Sequence, residues 1–378
     1  MSFTLEFTEN YTEYYKPGHE GRYLRFQDIE KELDTYSGWL TKEFRGESVE
    51  GRPIYIYRCG TGNLKLLMWS QMHGNESTTT RALMDLLHFM ASNDSFREFV
   101  LKNLTLEIIP VLNPDGATAY TRVNHNKVDL NRDAQDLSQP ESRVLSEVFA
   151  AFEPDFCFNL HDQRTIFSAG KYQHPATVSF LSPAKDEERS VNVVRMASMQ
   201  LIVAMNEVLQ PLIPGQVGRY DDSFNINCVG DTFQSAGVPT VLFESGHYPH
   251  DYKRLKTRMY IAIALVRALE VLANEELERF DYEEYFMIPE NDKLFLDVIV
   301  RNTTISEGEK ELAADLGILY KETLVNGDID FVPALEDYGD LSAKFGHIEL
   351  NAQGAVVDIT KIDQNESLEI RDLLQRFS

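Results

Sequence analysis

The sequence predicts an α/β fold, with a mostly parallel or mixed central sheet flanked by helices and a smaller β-rich C-terminal domain. Short apolar segments alternate with helix-like segments over the first 275 residues, and polar side chains follow four of the apolar segments. Beyond residue 290 the pattern changes to alternating apolar and polar residues with turn signals. We therefore expect two domains, at residues 1–275 and 280–378.

Four short stretches are rich in bulky and β-branched residues and are predicted to form buried strands: residues 64–68, 104–112, 155–160 and 239–243. Four longer stretches between or after them are predicted to be helices: residues 77–90, 141–152, 185–209 and 252–272. This alternation favours a mostly parallel sheet. In such sheets, ligands bind beyond the carboxyl ends of the strands.

Polar residues follow each of the four predicted strands. His73 and Glu76 come after the first strand, His161 after the third and Glu244 after the fourth. A histidine and a carboxylate three residues apart at a strand–helix junction can reach one metal ion together. Because a catalytic zinc uses three protein ligands and keeps one position open for water, His161 is the best candidate for the third ligand.

Each of these residues also has an ordinary structural alternative. His73 and His161 could be core histidines, and Glu76 could be a first-turn acid favoured by the helix dipole. Glu244 could be a solvated residue after a strand. Residues 113–116 (Asn-Pro-Asp-Gly) follow the second strand, and we interpret them as a structural turn that shapes the site.

In their order and rough spacing, the motifs of this chain resemble those of the M14-type zinc carboxypeptidases. The resemblance covers about residues 23–272, including an upstream segment at residues 46–54. It rests on His-Gly-Asn-Glu at 73–76, Asn-Pro-Asp-Gly at 113–116, Arg122, Val-Asp-Leu-Asn-Arg-Asp at 128–133, Asn-Leu-His at 159–161 and Leu-Phe-Glu at 242–244.

The resemblance implies one zinc ion per chain, held by His73, Glu76 and His161. Two histidines and one glutamate are a known ligand set for hydrolytic zinc. Glu244 is then expected to be the general base, since the apolar residues before it leave its carboxylate poorly solvated and raise its pKa. Arg122 is expected to stabilise the oxyanion that forms on the substrate carbonyl.

The resemblance also implies a peptide substrate with a free C-terminal carboxylate. Asn131 and Arg132 are expected to bind that carboxylate, because the planar guanidinium matches it with two hydrogen bonds. Arg132 could instead form a surface ion pair with Asp129 or Asp133. Tyr220 is the nearest candidate for the mobile tyrosine of the family, and Tyr248 is the alternative.

The specificity region of the family is poorly matched in this chain. Asp162-Gln163-Arg164 follow His161, where the family usually has a small residue. The side-chain pocket is expected to come from the stretch after Tyr220, and its candidate residues are Phe224, Asn227, Cys228, Val229, Asp231 and Leu242.

Two other functions are compatible with the motifs. A zinc-dependent N-acyl amino acid amidohydrolase of the aspartoacylase or succinylglutamate desuccinylase type has similar motifs, and some members carry a C-terminal β domain. The residues around 113–116 and 243–245 favour peptide cleavage over this alternative. A non-enzymatic binding protein is disfavoured because the three ligand candidates, Arg122 and Glu244 are all present.

The composition limits the remaining functions. A formal net charge of −24 argues against binding to nucleic acid or to an anionic membrane. The N-terminal residues lack a basic segment followed by an apolar run, so we expect a cytoplasmic protein. The 3 cysteines are too few for a disulfide framework and are expected to be reduced. The sequence does not predict an oligomeric state.

The C-terminal region shows strand and hairpin signals and no metal motif. Residues 294–300 alternate, and Asn326-Gly327 between residues 320–325 and 328–332 predicts a tight hairpin. Residues 347–350 and 355–359 are expected to form a second hairpin. A short amphipathic helix is predicted over residues 366–377, and His347 is expected to be structural.

Overall fold

The computed structural model describes residues 2–307, 310–359 and 367–377. The helices are α1 (Phe3–Glu9), α2 (Tyr11–Tyr14), α3 (Phe26–Thr35), α4 (Thr78–Ser92), α5 (Asp94–Asn103), α6 (Pro114–Ala119), α7 (Pro140–Phe152), α8 (Val193–Leu209), α9 (Val229–Ser235), α10 (Leu255–Ala273) and α11 (Ser367–Phe377). Single-turn or short 3₁₀ helices cover Leu130–Arg132, Leu277–Arg279 and Tyr282–Met287.

The N-terminal strands are β1 (Thr41–Glu47), β2 (Pro53–Cys59), β3 (Leu64–Ser70), β4 (Leu104–Ile109), β5 (Phe156–Asp162), β6 (Ser168–Ala169), β7 (Val178–Leu181), β8 (Val217–Arg219) and β9 (Thr240–Ser245). Eight of them form one sheet in the order β1-β2-β4-β3-β5-β9-β7-β8. The four central strands β4, β3, β5 and β9 are parallel, whereas β1, β2 and β7 introduce antiparallel pairings. The predicted α/β class with a mixed central sheet is confirmed.

The central strands are buried on both faces because helices cover the sheet on each side. One apolar core joins the sheet to α4, α8 and α10, and a second joins the opposite face to α7 and α9. This explains why the central strands are continuous apolar runs, as expected of a parallel sheet between two helical layers. Among the described residues, no helix is both long and apolar enough to cross a membrane.

The structure corrects several predicted boundaries near the site. Strands β5 and β9 continue to Asp162 and Ser245, so His161 and Glu244 lie in the last residues of their strands. They are direct partners in the β5–β9 register. The helix predicted over residues 185–209 begins only at Val193.

Residues 113–116 begin a helix and do not form the isolated turn that we predicted. The Asn113 side chain accepts a hydrogen bond from the Gly116 amide at 2.8 Å and caps the N-terminus of α6, while Pro114 occupies the first turn. Turn and helix-cap signals share the same residue types, so composition alone could not separate the two structures.

The C-terminal sheet consists of β11 (Phe295–Glu307), β12 (Lys310–Val325), β13 (Asp328–Gly339), β14 (Phe345–Asn351) and β15 (Val356–Asp358), while the short β10 (Asn291–Asp292) pairs with β6. The hairpin at Asn326-Gly327 is confirmed, and both residues have positive φ angles, 52° and 84°. The second predicted hairpin is wrong, because β14 and β15 both pair in parallel with successive parts of β11. The predicted C-terminal helix is present from Ser367, and Glu366 lies outside the described residues.

The C-terminal sheet packs against loops at the carboxyl edge of the main sheet. Arg22 forms an ion pair with Glu322 of β12 at 3.0 Å. The Tyr252 hydroxyl donates to Asp297 of β11 at 3.0 Å, and the Phe295 amide donates to the Ile166 carbonyl at 3.0 Å. The second sheet therefore lies beside the edge at which the predicted site residues emerge.

Candidate metal centre

Three buried side chains converge at the carboxyl edge of the main sheet. The Nδ1 atom of His73 lies 2.9 Å from Glu76 Oε1, and the Nδ1 atom of His161 lies 2.8 Å from Glu76 Oε2. The two Nδ1 atoms are 3.0 Å apart. The three residues predicted as metal ligands are therefore brought together, and they form a group that could hold a metal ion.

The local backbone explains this convergence. His73 and Glu76 lie in the loop between β3 and α4, whereas His161 lies at the end of the neighbouring strand β5. Gly74 is required between the two ligands, because a Cβ atom there would lie 1.9 Å from the Gly116 carbonyl carbon. Close contact between this loop and α6 thus holds the His73–Glu76 segment against the start of the helix.

The chemistry of the donors fits zinc. Two imidazole nitrogens and a carboxylate are favourable zinc ligands, and three protein ligands leave a fourth position for water or substrate. Although burial alone would lower the pKa of His73, the Glu76 and Asp129 carboxylates beside it raise the pKa. A bound cation would stabilise the carboxylate of Glu76 between the two rings in place of a proton.

Sequence reasoning missed Asp129 as a functional residue. Its Oδ1 atom lies 2.9 Å from His73 Nε2, and its Oδ2 atom accepts from Arg122 Nε at 3.1 Å. Asp129 therefore orients both His73, a candidate metal ligand, and Arg122, the group predicted to stabilise the oxyanion. Carboxylates commonly support metal-bound histidines in this way. The sequence placed Asp129 in the right motif, but only as a candidate ion-pair partner of Arg132.

Glu244 lies beside this group with a carboxylate that is not fully bonded. It is 9% exposed, and its Oε2 atom has no hydrogen-bond partner among the described residues. Burial raises the pKa of Glu244 well above its usual range, and the Glu76 and Asp162 carboxylates raise it further. A carboxylate of this kind can accept and return a proton near neutral pH.

Arg122 reaches the ligand group from the loop after α6. Its guanidinium lies 3.2 Å from Glu76 Oε1 and 3.0 Å from Asp129 Oδ2. Its side chain is 47% exposed, so one side of the guanidinium remains open to the cavity. This position suits a donor to a carbonyl oxygen that gains negative charge beside the metal.

The residues predicted as metal ligands, catalytic groups and main substrate contacts line one cavity of about 930 Å³, which we call the metal-site cavity: His73, Glu76, Arg122, Asn131, Arg132, His161, Tyr220 and Glu244. Arg132 is exposed, and its guanidinium donates to the Asn131 carbonyl at 2.7 Å. Neither Asp129 nor Asp133 pairs with it in the described structure, which contradicts the surface ion-pair alternative. The Asn131 Oδ1 atom accepts from the Val229 amide at 3.1 Å, which fixes the orientation of this side chain.

The two tyrosine candidates are placed differently. Tyr220 lines the metal-site cavity, and its ring packs against Phe167 with the centroids 5.2 Å apart. Burial raises the pKa of the Tyr220 hydroxyl above its usual range, and the Glu244 carboxylate adds to this shift. Tyr248 does not line this cavity and packs against Tyr260 in the helical core.

The expected specificity pocket is found in part. Phe224, Cys228, Asp231 and Leu242 line the metal-site cavity, whereas Asn227 and Val229 do not. Burial raises the pKa of Asp231 to about 6. Asn159, which the sequence did not suggest for this role, also lines the cavity, and both polar atoms of its fully buried amide lack a partner among the described residues.

The unusual residues after His161 have separate roles. Asp162 accepts from the amides of Thr78 and Thr79 at 2.9 and 3.2 Å, so it caps the N-terminus of α4. Gln163 donates to the Ala176 carbonyl at 2.7 Å. Arg164 is exposed and lines the metal-site cavity.

Comparison with known proteins supports the sequence resemblance. A family model described as zinc carboxypeptidase matches residues 27–146, which include His73, Glu76, Arg122 and the Asn131-Arg132 pair. Carboxypeptidase 2 of Trichophyton rubrum is 28% identical over 152 residues, covering 37% of this chain and 28% of the relative. Carboxypeptidase SOL1 of Arabidopsis thaliana is 29% identical over 146 residues, covering 32% of this chain and 30% of the relative.

Solved structures share the fold. A metallo-carboxypeptidase from Burkholderia cenocepacia matches with a TM-score of 0.53 at 16% identity, covering 65% of this chain and 69% of that one. Carboxypeptidase A from Helicoverpa armigera matches with a TM-score of 0.51 at 16% identity, covering 72% and 80%. The predicted resemblance to the zinc carboxypeptidases is thus confirmed, although the chain spans less than a third of the length of these curated relatives.

Proposed function

We propose that this protein is a zinc-dependent carboxypeptidase that removes the last residue of a peptide with a free C-terminus. One observation carries the proposal: the unpaired, buried carboxylate of Glu244 shares a cavity with the His73, Glu76 and His161 ligand group and with the exposed Arg132. The matches to carboxypeptidases support the same class of reaction.

Zinc held by the three ligands would supply an acidified water and polarise the scissile carbonyl. Glu244 accepts the proton of that water and later donates it to the amine of the departing residue. Its raised pKa suits both transfers, because the carboxylate must take a proton and then release it. Its position next to His161 in the β5–β9 register keeps it at the ligand group.

Two further groups bind and orient the peptide. Arg122 donates to the carbonyl oxygen as negative charge develops there, and Asp129 holds its guanidinium in place. Arg132, with Asn131 beside it, binds the free carboxylate of the last residue through a charge-assisted hydrogen bond. Cleavage is therefore restricted to the C-terminal peptide bond.

The test combines metal analysis with substrate profiling on one sample. Elemental analysis of the purified protein should give one zinc per chain. Mass spectrometry should show stepwise loss of residues from free-acid peptides and none from the same peptides with amidated C-termini. Equal cleavage of both forms would contradict an exopeptidase.

N-acyl amino acids belong in the same assay because the alternative amidohydrolase uses similar motifs. Release of an amino acid from small acyl derivatives, with no release from dipeptides or longer peptides, would overturn the proposal in favour of that alternative. Zinc binding without any hydrolysis would contradict both functions.

A further inference from the structure

A second cavity adjoins the candidate metal centre, and the C-terminal sheet forms one of its walls. It has a volume of about 430 Å³, and we call it the β12 cavity. Glu76, Arg122 and Arg164 line both cavities, so the β12 cavity begins beside the ligand group. Its opposite wall comes from the C-terminal sheet, through Leu319, Tyr320, Lys321, Glu322 and Phe331.

The position of the β12 cavity indicates that it receives the acyl side of a bound peptide, which is the part before the scissile bond. Asn131 and Arg132 line only the metal-site cavity, where the proposed function places the terminal residue. The rest of the peptide must leave the scissile carbonyl in a different direction. Arg122 lies at that carbonyl in the proposed function and also lines the β12 cavity, so a peptide bound in this way would place its penultimate residue there.

The carboxylates around the β12 cavity are already bonded to the protein. Asp297 accepts from the Tyr320 amide at 2.7 Å, in addition to the Tyr252 hydroxyl. Glu322 is held by Arg22 and by the Tyr120 hydroxyl. Asp162 caps α4, as described above.

Two cations at the β12 cavity have no such partner. The side chains of Arg164 and Lys321 are exposed, and neither forms an ion pair or a side-chain hydrogen bond with the described residues. Lys321 lies on the same face of β12 as Leu319, and Leu319 belongs to an apolar cluster against which Ile166, from the loop that carries Arg164, packs. Arg164 and Lys321 therefore both lie on the wall of the β12 cavity.

The unpaired charge at the β12 cavity is opposite in sign to the net charge of the chain. The chain carries a formal net charge of −24, yet the charged side chains that lack a partner at the β12 cavity, among the described residues, are the cations Arg164 and Lys321. Unpaired charges on the wall of a cleft raise the local concentration of ligands of the opposite sign. An anionic side chain in the β12 cavity would be attracted by both cations, whereas a cationic side chain would be repelled.

We propose that the C-terminal sheet completes the substrate-binding cleft and that Lys321 and Arg164 select peptides with an acidic penultimate residue. This inference rests on the proposed carboxypeptidase function and adds the substrate class. Lys321 and Arg164 are specificity residues here, since they contact the substrate away from the reacting bond.

The test compares peptides that differ only in the penultimate residue, with Glu, Gln or Lys before the same C-terminal residue. We expect kcat/KM to fall in the order Glu, Gln, Lys, with about a tenfold difference between the first and the last, because two exposed cations contribute a modest attraction each. Lys321→Glu should remove or reverse this preference. Lys102→Glu, an exposed site on α5 that lines neither cavity, changes the net charge equally and should leave the preference intact.

Ionic strength gives a second readout. The preference for Glu should shrink in about 0.5 M salt, because screening at this concentration acts over a few ångströms. If the parent protein shows no preference, or if Lys102→Glu abolishes it as fully as Lys321→Glu, the inference is wrong. Should Lys321→Glu fail to fold, Lys321→Ala and Arg164→Ala are expected to weaken the preference in the same direction.

A binding measurement separates this inference from the proposed function. Peptide amides with Glu or Lys at the same position are not cleaved by a carboxypeptidase, and their binding can be followed by calorimetry. Tighter binding of the Glu peptide by the parent but not by Lys321→Glu supports the cavity assignment even if no peptide is hydrolysed. If free-acid peptides are hydrolysed but the Glu and Lys peptide amides bind equally tightly, the cavity assignment is wrong while the proposed carboxypeptidase function stands.

Discussion

Asp129 Oδ1 lies 2.9 Å from Nε2 of His73, on the side of the ring that faces away from Glu76. With a proton on Nε2 directed at this carboxylate, the Nδ1 atom that faces Glu76 and His161 carries the lone pair. The tautomer required of a metal ligand is therefore set by a residue outside the ligand group.

Substituting Asp129 tests this relationship. Asp129→Ala should lower the affinity for zinc about 10–100-fold, because the His73 ring loses the acceptor that fixes its tautomer. Competition with a chromophoric chelator measures the affinity. Asp136→Ala, an exposed site in the same loop, is the matched control and should bind zinc like the parent protein. Unchanged affinity in Asp129→Ala would contradict the role given to Asp129.

Glu244→Gln tests the proposed general base. The substitution keeps the shape of the side chain but removes its ability to take a proton, so kcat should fall by about 10²–10⁴ while zinc stays bound. Steady-state kinetics and elemental analysis on the same preparation check both parts. The exposed Glu207 on α8 offers a control, since Glu207→Gln should leave kcat unchanged. Full activity of Glu244→Gln would rule out the assignment.

Arg132→Ala tests the proposed carboxylate site. A charge-assisted hydrogen bond is lost, so KM for free-acid peptides should rise about 10–100-fold, and free and amidated C-termini should be distinguished less well. Arg132→Lys keeps the charge without the planar fork and should give an intermediate KM. Identical KM values for Arg132→Ala and the parent would place the carboxylate elsewhere.

His347 should make the packing of the C-terminal sheet sensitive to acid. Its Nε2 atom lies 2.8 Å from the Thr165 carbonyl, and its ring stacks on Phe295 and contacts His247. Burial lowers the pKa of His347 to about 4, and nearby His250 lowers it further. Below the unfolded-state pKa of about 6.5, the unfolded chain binds a proton that the folded chain does not, so the free energy of unfolding falls as the pH falls.

The fall in the free energy of unfolding caused by His347 should be measurable between pH 7 and pH 5. At pH 5, His347 alone should reduce the free energy of unfolding by about 2 kcal/mol relative to neutral pH. His347→Phe retains an aromatic ring, and urea unfolding should show a correspondingly smaller loss on acidification. His125→Phe, at an exposed position, is the control. A parent and a His347→Phe variant with the same pH dependence would show that the buried ring is not the cause.

The four parallel central strands of the main sheet could be predicted from the sequence because their signals are local, whereas β1, β2, β7 and β8 were not predicted. Each central strand is a short apolar run, and the polar residue that follows it marks the carboxyl edge of the sheet. Parallel strands then bring His73, His161 and Glu244 together, although 88 residues separate the two histidines. The candidate ligands could therefore be found without knowing the order of the strands.

Other features depended on contacts that no local pattern encodes. Strands β14 and β15 have the spacing of a hairpin, but each pairs with β11, and only the packing of the sheet decides between these pairings. The role of Asp129 depends on its distance from a histidine 56 residues earlier in the chain. The residues that line the β12 cavity are spread from Arg22 to Phe331, so no local pattern around Lys321 indicated a functional role.

The cap that Asp162 places on α4 has a consequence for metal uptake. The Asp162 amide donates to Glu76 Oε2 at 3.1 Å, while its carboxylate holds the first amides of the helix that follows Glu76. The strand that carries His161 is thereby tied to the segment that carries the other two ligands. These bonds favour a site whose ligands are in position before zinc binds, so we expect metal-free and metal-bound protein to differ little in backbone structure.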